Sequence, residues 1–209
     1  MTTKERLGLF GGSFDPIHDG HLRPVLSALR ELELDRILYL PTAQPPHKPG
    51  RRFAPAVARY ARGELALLEE EALQVSPFEL EEGPTYTIDT LRHFTAKERD
   101  LFLLIGADSY LELHTWRSWR ELFALATIVV LARPEYDRQA PEEVRRLAAD
   151  HEVLWVEHEL VDISSTQVRK ALRDGRTTAL PVPGPVLQYC WKYKLYERGT
   201  RRNDDVRSE

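Results

Sequence analysis

Between Leu7 and Leu40, a span of about 35 residues, the chain lays down an apolar run, a helical pattern and a second apolar run. Residues 7–10 are stopped by Gly11 and Gly12. Leu22, Val25, Leu26 and Leu29 then recur at three- and four-residue spacing, and residues 37–40 are closed by Pro41. A short apolar run ended by glycines reads as a buried strand, and the spacing that follows as one face of a helix. Strand, helix and strand in that length form a βαβ unit, whose two strands are parallel.

The same alternation continues. Residues 41–52 hold four prolines, His47 and three basic residues without apolar period, so they read as a loop, and a loop this long in a compact domain is often functional. Helix formers dominate residues 54–72, and residues 78–80 are taken as a short strand. A helix begins near Thr87 and includes Ile88 and Leu91. Residues 101–105, stopped by Gly106, are the clearest buried strand; 127–131 and 153–156 supply two more, separated by a helix after Pro141 with Val144, Leu147 and Ala148 inside. The order predicts an α/β fold: a Rossmann-like, doubly wound, mainly parallel sheet with helices on both faces. In such sheets ligands bind at the carboxyl ends of the strands. One domain is expected over 1–197, with 198–209 a polar, frayed tail.

Composition narrows the function classes. With 42% apolar and 30% charged residues the 209-residue chain has the balance of a globular protein with one substantial core. A net charge of -4 argues against a protein that grips a nucleic-acid backbone. Cys190 is the only cysteine, which rules out an intramolecular disulfide and fits a reducing compartment; it is expected buried in a C-terminal helix. The apolar segment after Lys4, Glu5 and Arg6 is too short for a signal-peptide core or a membrane span, so a cytoplasmic location is expected.

Chemistry concentrates first in Gly11-Gly12-Ser13-Phe14-Asp15-Pro16-Ile17-His18-Asp19-Gly20-His21, between the first strand and the first helix. Glycines at a strand end let a ligand approach the backbone, and a helix start offers unpaired N–H groups and a positive dipole end to phosphate. The spacing is neither the dinucleotide fingerprint nor a P-loop, which would need a lysine. His18 and His21, three apart, lie on one face at a helix start. That spacing alone is open to capping, to zinc and to a phosphate ligand; its coincidence with the glycines and the strand end favours phosphate.

A second constellation, Ile163-Ser164-Ser165-Thr166-Gln167-Val168-Arg169, follows the last strand. A serine before a helical stretch is an N-cap, and an arginine one turn in shares the anion site of the helix start. Its guanidinium is always charged and forks toward phosphate oxygens.

Gly11 to Leu22 resembles the phosphate-binding signature of the nucleotidylyltransferase superfamily, His-x-Gly-His, here His18, Asp19, Gly20 and His21; Ser164, Ser165, Thr166 and Arg169 resemble its second signature. Pro45-Pro46-His47-Lys48, the run from Gly83 to Leu91, and Gly106-Ala107-Asp108-Ser109 with Trp116 and Trp119 are similar to segments of bacterial nicotinate mononucleotide adenylyltransferases, and the resemblance spans about Leu7 to Tyr196. It implies ATP binding by Gly11, Gly12, Ser13, Phe14, His18, His21, Gly106, Asp108, Ile163, Ser164, Ser165, Thr166 and Arg169. Of these His18, His21 and Arg169 are the implied catalytic residues. It implies an acceptor site of His47, Lys48, Tyr86, Thr87, Asp108, Trp116 and Arg117. A tryptophan face suits a pyridine ring, Trp116 by the family pattern, while Trp119 is expected in the core. Mg²⁺ arriving with ATP is the implied cofactor, with no protein ligand for it named, and the implied partners are the small molecules ATP and nicotinate mononucleotide.

The chain departs from the family in places. Val57-Ala58-Arg59-Tyr60 stands where an aspartate, arginine and methionine are common, Thr85 where serine is usual, and Val168 where isoleucine is frequent. The implied reaction is direct in-line attack of the acceptor phosphate on the α-phosphorus of ATP, releasing pyrophosphate. Open alternatives are a phosphopantetheine or nicotinamide-mononucleotide adenylyltransferase on the same scaffold, and an ATP-binding sensor without turnover.

Overall fold

The computed structural model describes residues 4–43, 53–82, 86–132, 140–159, 161–176 and 179–196. The expected C-terminal tail, the 44–52 stretch with His47 and Lys48, and Thr85 lie outside them.

The first βαβ unit is β1 (Glu5–Gly12), α1 (Asp19–Glu31) and β2 (Arg36–Pro41). After α2 (Ala56–Ala66) comes β3 (Leu73–Val75), then α3 (Phe78–Glu81) and α4 (Thr87–Phe94). Strand β4 (Arg99–Gly106) leads into α5 (Ala107–Leu111), a 3₁₀ turn (Leu113–Thr115) and α6 (Trp119–Leu125); β5 (Thr127–Ala132), α7 (Glu142–Ala149) and β6 (Val153–Glu157) follow. Helices α8 (Ser165–Arg173) and α9 (Gly184–Lys192) close the described chain.

All six strands pair in parallel in the order β3-β2-β1-β4-β5-β6. The chain winds outward from β1 in one direction, then returns to start again at β4, so the switch point lies between β1 and β4. At that point the helices leaving adjacent strands go to opposite faces and leave a crevice.

Alternation along the strands divides the core. Leu7, Leu9, Leu38, Leu40, Leu103, Ile105, Ile128 and Val130 face α4, α6 and α7, with Trp119 buried among them as expected. Ile37, Tyr39, Phe102, Leu104, Val129, Leu131 and Val156 face α1, α8 and α9, where Cys190 is buried. Gly8 belongs to the second face: a Cβ there would stand 2.7 Å from Ile37 Cγ1, so the glycine lets the neighbouring side chains close over β1.

One expectation fails. Residues 78–80 are helical, and the edge strand is β3, only three residues long. Pro77 stands at the N-cap of α3, where its missing N–H breaks no intrahelical bond. Strand β3 exists because Tyr39 and Ile37 offer it a ladder, Ile37↔Leu73 to Tyr39↔Val75, a tertiary cause that three residues of local sequence cannot announce. Among the described residues no helix is long and apolar enough to cross a membrane.

Candidate active site

At the carboxyl end of β1 the chain turns through Ser13 and Phe14, the latter at φ 43°, and through a cis Asp15–Pro16 bond into α1. An added Cβ at Gly11 would meet nothing within 4 Å, so the strand end is open to an incoming molecule. Gly20 has a different task. A Cβ there would lie 3.0 Å from Cε1 and Nδ1 of His18, so the bare Cα is what lets the imidazole lie across the first turn of α1.

His18 and His21 come together as the spacing implied. Their ring centroids are 3.8 Å apart at 34°, and the His21 ring meets Phe14 edge-on at 5.3 Å. The His18 backbone N–H donates to His21 Nδ1 at 3.3 Å, which leaves the proton of a neutral His21 ring on Nε2, as a donor. Burial lowers the His18 pKa to about 4; His21 is held well below the usual value by burial and by His18 beside it. Both rings are therefore neutral at pH 7. Among the described residues His18 Nδ1 is buried without a hydrogen-bond partner, an unusual state for a ring nitrogen in a finished core.

The start of α8 is docked onto this turn. Ser164 caps the helix, accepting from the Gln167 N–H at 3.2 Å. Ser165 donates to the Pro16 carbonyl at 3.1 Å, Arg169 donates to the Asp15 carbonyl at 2.7 Å and to Thr166 Oγ1 at 3.0 Å, and Ile163 packs beside Gly20. Two motifs about 145 residues apart in the chain thus present two helix N-termini, two neutral imidazoles and a guanidinium around one opening.

Beside it, across the switch point, lies a cavity of about 330 Å³ between the ends of β1 and β4 and the start of α4. Gly11, Gly12 and Ser13 form one wall, Tyr86 and Thr87 the α4 start, Gly106 and Ser109 the β4 end, and Trp116 and Arg117 another wall. Trp116 packs partly on the core, and the Arg117 guanidinium lies 4.7 Å over the Tyr86 ring. Asp108 is exposed in the first turn of α5 and is not among the residues that wall the cavity; Ser109 and Glu112 are.

Sequence reasoning missed three features. Glu79, on α3, lines the cavity floor and is 5% exposed, a carboxyl inside what reads as an apolar run. Arg59, on α2, is buried and donates to the carbonyls of Ser13 (3.1 Å), Thr42 (2.7 Å), Ala43 (3.1 Å) and Ala54 (3.1 Å), tying the loops after β1 and β2 into one rim. The one arginine of the departing Val57-Ala58-Arg59-Tyr60 segment is therefore a structural tie. Asp15, 2% exposed, pairs with Arg62 at 3.1 Å and accepts from Tyr196 beneath the same turn. The available signal was position: Arg59 and Arg62 share the inner face of α2 with Ala58 and Gly63, where periodicity asks for apolar side chains.

Residues 9–171 match the family model described as cytidylyltransferase-like. A probable nicotinate-nucleotide adenylyltransferase of Thermus thermophilus is 43% identical over 195 residues, covering 91% of this chain and 99% of the relative. The chain belongs to the nicotinate-nucleotide adenylyltransferase family. A second member, from Pseudomonas aeruginosa, is 37% identical and covers 92% of the chain and 97% of its own. The fold is that of the family too. Plasmodium falciparum nicotinic acid mononucleotide adenylyltransferase complexed with NaAD matches with a TM-score of 0.71 at 17% identity, covering 92% of this chain and 97% of that one.

Proposed function

We propose that the protein transfers the adenylyl group of ATP to nicotinate mononucleotide, forming nicotinate adenine dinucleotide and pyrophosphate, a step of NAD biosynthesis. The observation that carries this is the adjacency at the switch point of a phosphate-type opening and an apolar, tryptophan-walled cavity. Family membership supplies the reaction class.

In this reading His18, His21, Arg169 and the start of α8 hold the triphosphate, with Gly11, Gly12, Ser13, Phe14, Ile163, Ser164, Ser165 and Thr166 shaping that side and Gly106 and Asp108 near the nucleoside. Trp116 stacks on the pyridine ring, the α4 start at Tyr86 and Thr87 meets its carboxylate, Arg117 stands at the mouth, and His47 and Lys48 reach the mononucleotide phosphate. An oxygen of that phosphate bonds to the α-phosphorus while the bond to the bridging oxygen breaks, and pyrophosphate leaves in line. No protein nucleophile is required. Catalysis comes from positioning and from neutral donors aimed at oxygens that gain charge.

Among the described residues no group of three or more His, Cys, Asp or Glu side chains is placed to hold a metal ion. Mg²⁺ arriving with ATP would neutralise phosphate charge during the transfer, and no protein ligand is assigned to it. We read residues 1–197 as one catalytic domain with 198–209 a tail, and place the enzyme in the cytoplasm, a reading supported by its single, buried cysteine.

The test is pyrophosphate release from Mg·ATP with nicotinate mononucleotide, nicotinamide mononucleotide or phosphopantetheine supplied separately. Release with nicotinate mononucleotide is expected to exceed the others, and His21→Ala to lower turnover about a hundredfold, the usual loss for one such donor. ATP binding without release for any acceptor would instead make the protein a sensor.

A further inference from the structure

Glu79 is the buried ionisable group in the cavity wall that neither transfer chemistry nor the fold requires. Its Oε1 accepts from Thr90 Oγ1 at 2.9 Å, and among the described residues no second hydrogen bond holds its other oxygen. Thr90 is one turn along α4 from Tyr86, whose carbonyl it also approaches at 3.5 Å, so the carboxyl is coupled to the helix start that faces the acceptor ring.

Among the described residues no ion pair holds it. On α4, Arg92 is 3.7 Å from Asp89 and 2.6 Å from Glu121, and His93 is stacked on Phe78 at 3.9 Å. On β2, Tyr39 donates to the His21 carbonyl, and on α3 itself the near charge is Glu81. Across the cavity stand Glu112, Arg117 and Tyr86, with the Arg117 guanidinium over the Tyr86 ring. The charged side chains lining the cavity are thus Glu79, Glu112 and Arg117. Among these described side chains, Glu79 neutral leaves one charge of each sign, and Glu79 ionised leaves an excess negative charge.

We propose that Glu79 determines acceptor specificity by its charge: neutral, it admits a pyridine ring bearing a carboxylate, and ionised, it repels that ring and favours one bearing a carboxamide. The proposal rests on reading this cavity as the acceptor site. A buried carboxylate sharing one cavity with a second anion is opposed both by lost hydration and by like-charge repulsion, so binding the carboxylate ring takes up a proton at Glu79. Burial raises the Glu79 pKa to about 7, against the lowering effect of the Thr90 hydroxyl. The switch therefore operates in the ordinary working range of pH.

The experiment measures kcat/KM for nicotinate and nicotinamide mononucleotide from pH 6 to 9 and takes their ratio, in which titration of the phosphate common to both cancels. In the wild type the ratio of carboxylate to carboxamide acceptor is expected to fall by about tenfold or more as pH rises through Glu79 ionisation. In Glu79→Gln, neutral and of the same shape, it stays high and flat. Thr90→Val, which removes the bond that favours the carboxylate, moves the fall to higher pH. A ratio independent of pH in the wild type, or an unchanged slope in Glu79→Gln, overturns the proposal. Should neither mononucleotide be turned over, the function above fails. Glu79 is then tested alone by calorimetric binding of free nicotinate against nicotinamide, where affinity for nicotinate must weaken with pH in the wild type and not in Glu79→Gln.

Discussion

His18 stacks at 3.8 Å on His21 and over Gly20, in a slot too dry for charge. A folded pKa of about 4 against an ordinary 6.5 means that the folded state binds fewer protons than the unfolded chain between those values. Its contribution to stability is complete above pH 6.5 and is lost as pH falls toward 4. Glu79 works in the other direction, since its raised pKa gives stability below about 4.5 that is lost as pH rises through 7. Urea unfolding at pH 7.5 and 5.0 should show His18→Asn losing less stability on acidification than the wild type. An equal loss in both would mean that His18 is not the neutral, buried ring described above. These two histidines were legible in the sequence because the letters that matter, glycines and histidines after an apolar run, are adjacent. Glu79 was not legible, because its chemistry comes from burial and from a threonine on another helix.

At the scale of elements, α8 shows how a short helix serves a site far away in sequence. Its own segment supplies the Ser164 cap, and its first turn supplies the bonds from Ser165 and Arg169 to the Pro16 and Asp15 carbonyls. Ser164→Ala should cost about 1 kcal/mol of stability in a denaturant titration, the usual value for a lost cap. A change within error would show that the docking bonds, not the cap, hold the helix start. Elements whose cause is local were readable: the caps, the glycine stops and the long apolar runs. Strand β3 was not, since Leu73 and Val75 become a strand only when Ile37 and Tyr39 lie beside them. Residues 78–80 are helical where a strand is expected for a different reason, a short apolar run being ambiguous in period.

Across the whole molecule, the Asp15–Arg62–Tyr196 cluster joins the turn after β1, helix α2 and the segment after α9. Arg62 is fully buried, donating also to the Ala58 carbonyl at 2.9 Å and lying 5.4 Å over the Tyr196 ring. Arg62→Met should destabilise by roughly 3–5 kcal/mol, because it leaves the Asp15 carboxylate buried without its cation. Pairing it with Asp15→Asn should recover part of that loss in a double-mutant cycle, and simple additivity would show that the two do not act as a pair. Because Arg169 donates to the backbone of the same Asp15, loosening the cluster also loosens the site.

The sequence alone determined the parallel α/β order, the ends of most strands, the glycine–histidine and serine–arginine motifs and the family, since each depends on residues near one another in the chain or on a pattern of letters. Tertiary structure alone decided the strand order and its switch point, the cavity beside β4, the neutrality of the His18–His21 pair, and the roles of Glu79, Arg59 and Asp15. Those depend on distance and exclusion of water between groups far apart in sequence, quantities that have no local pattern.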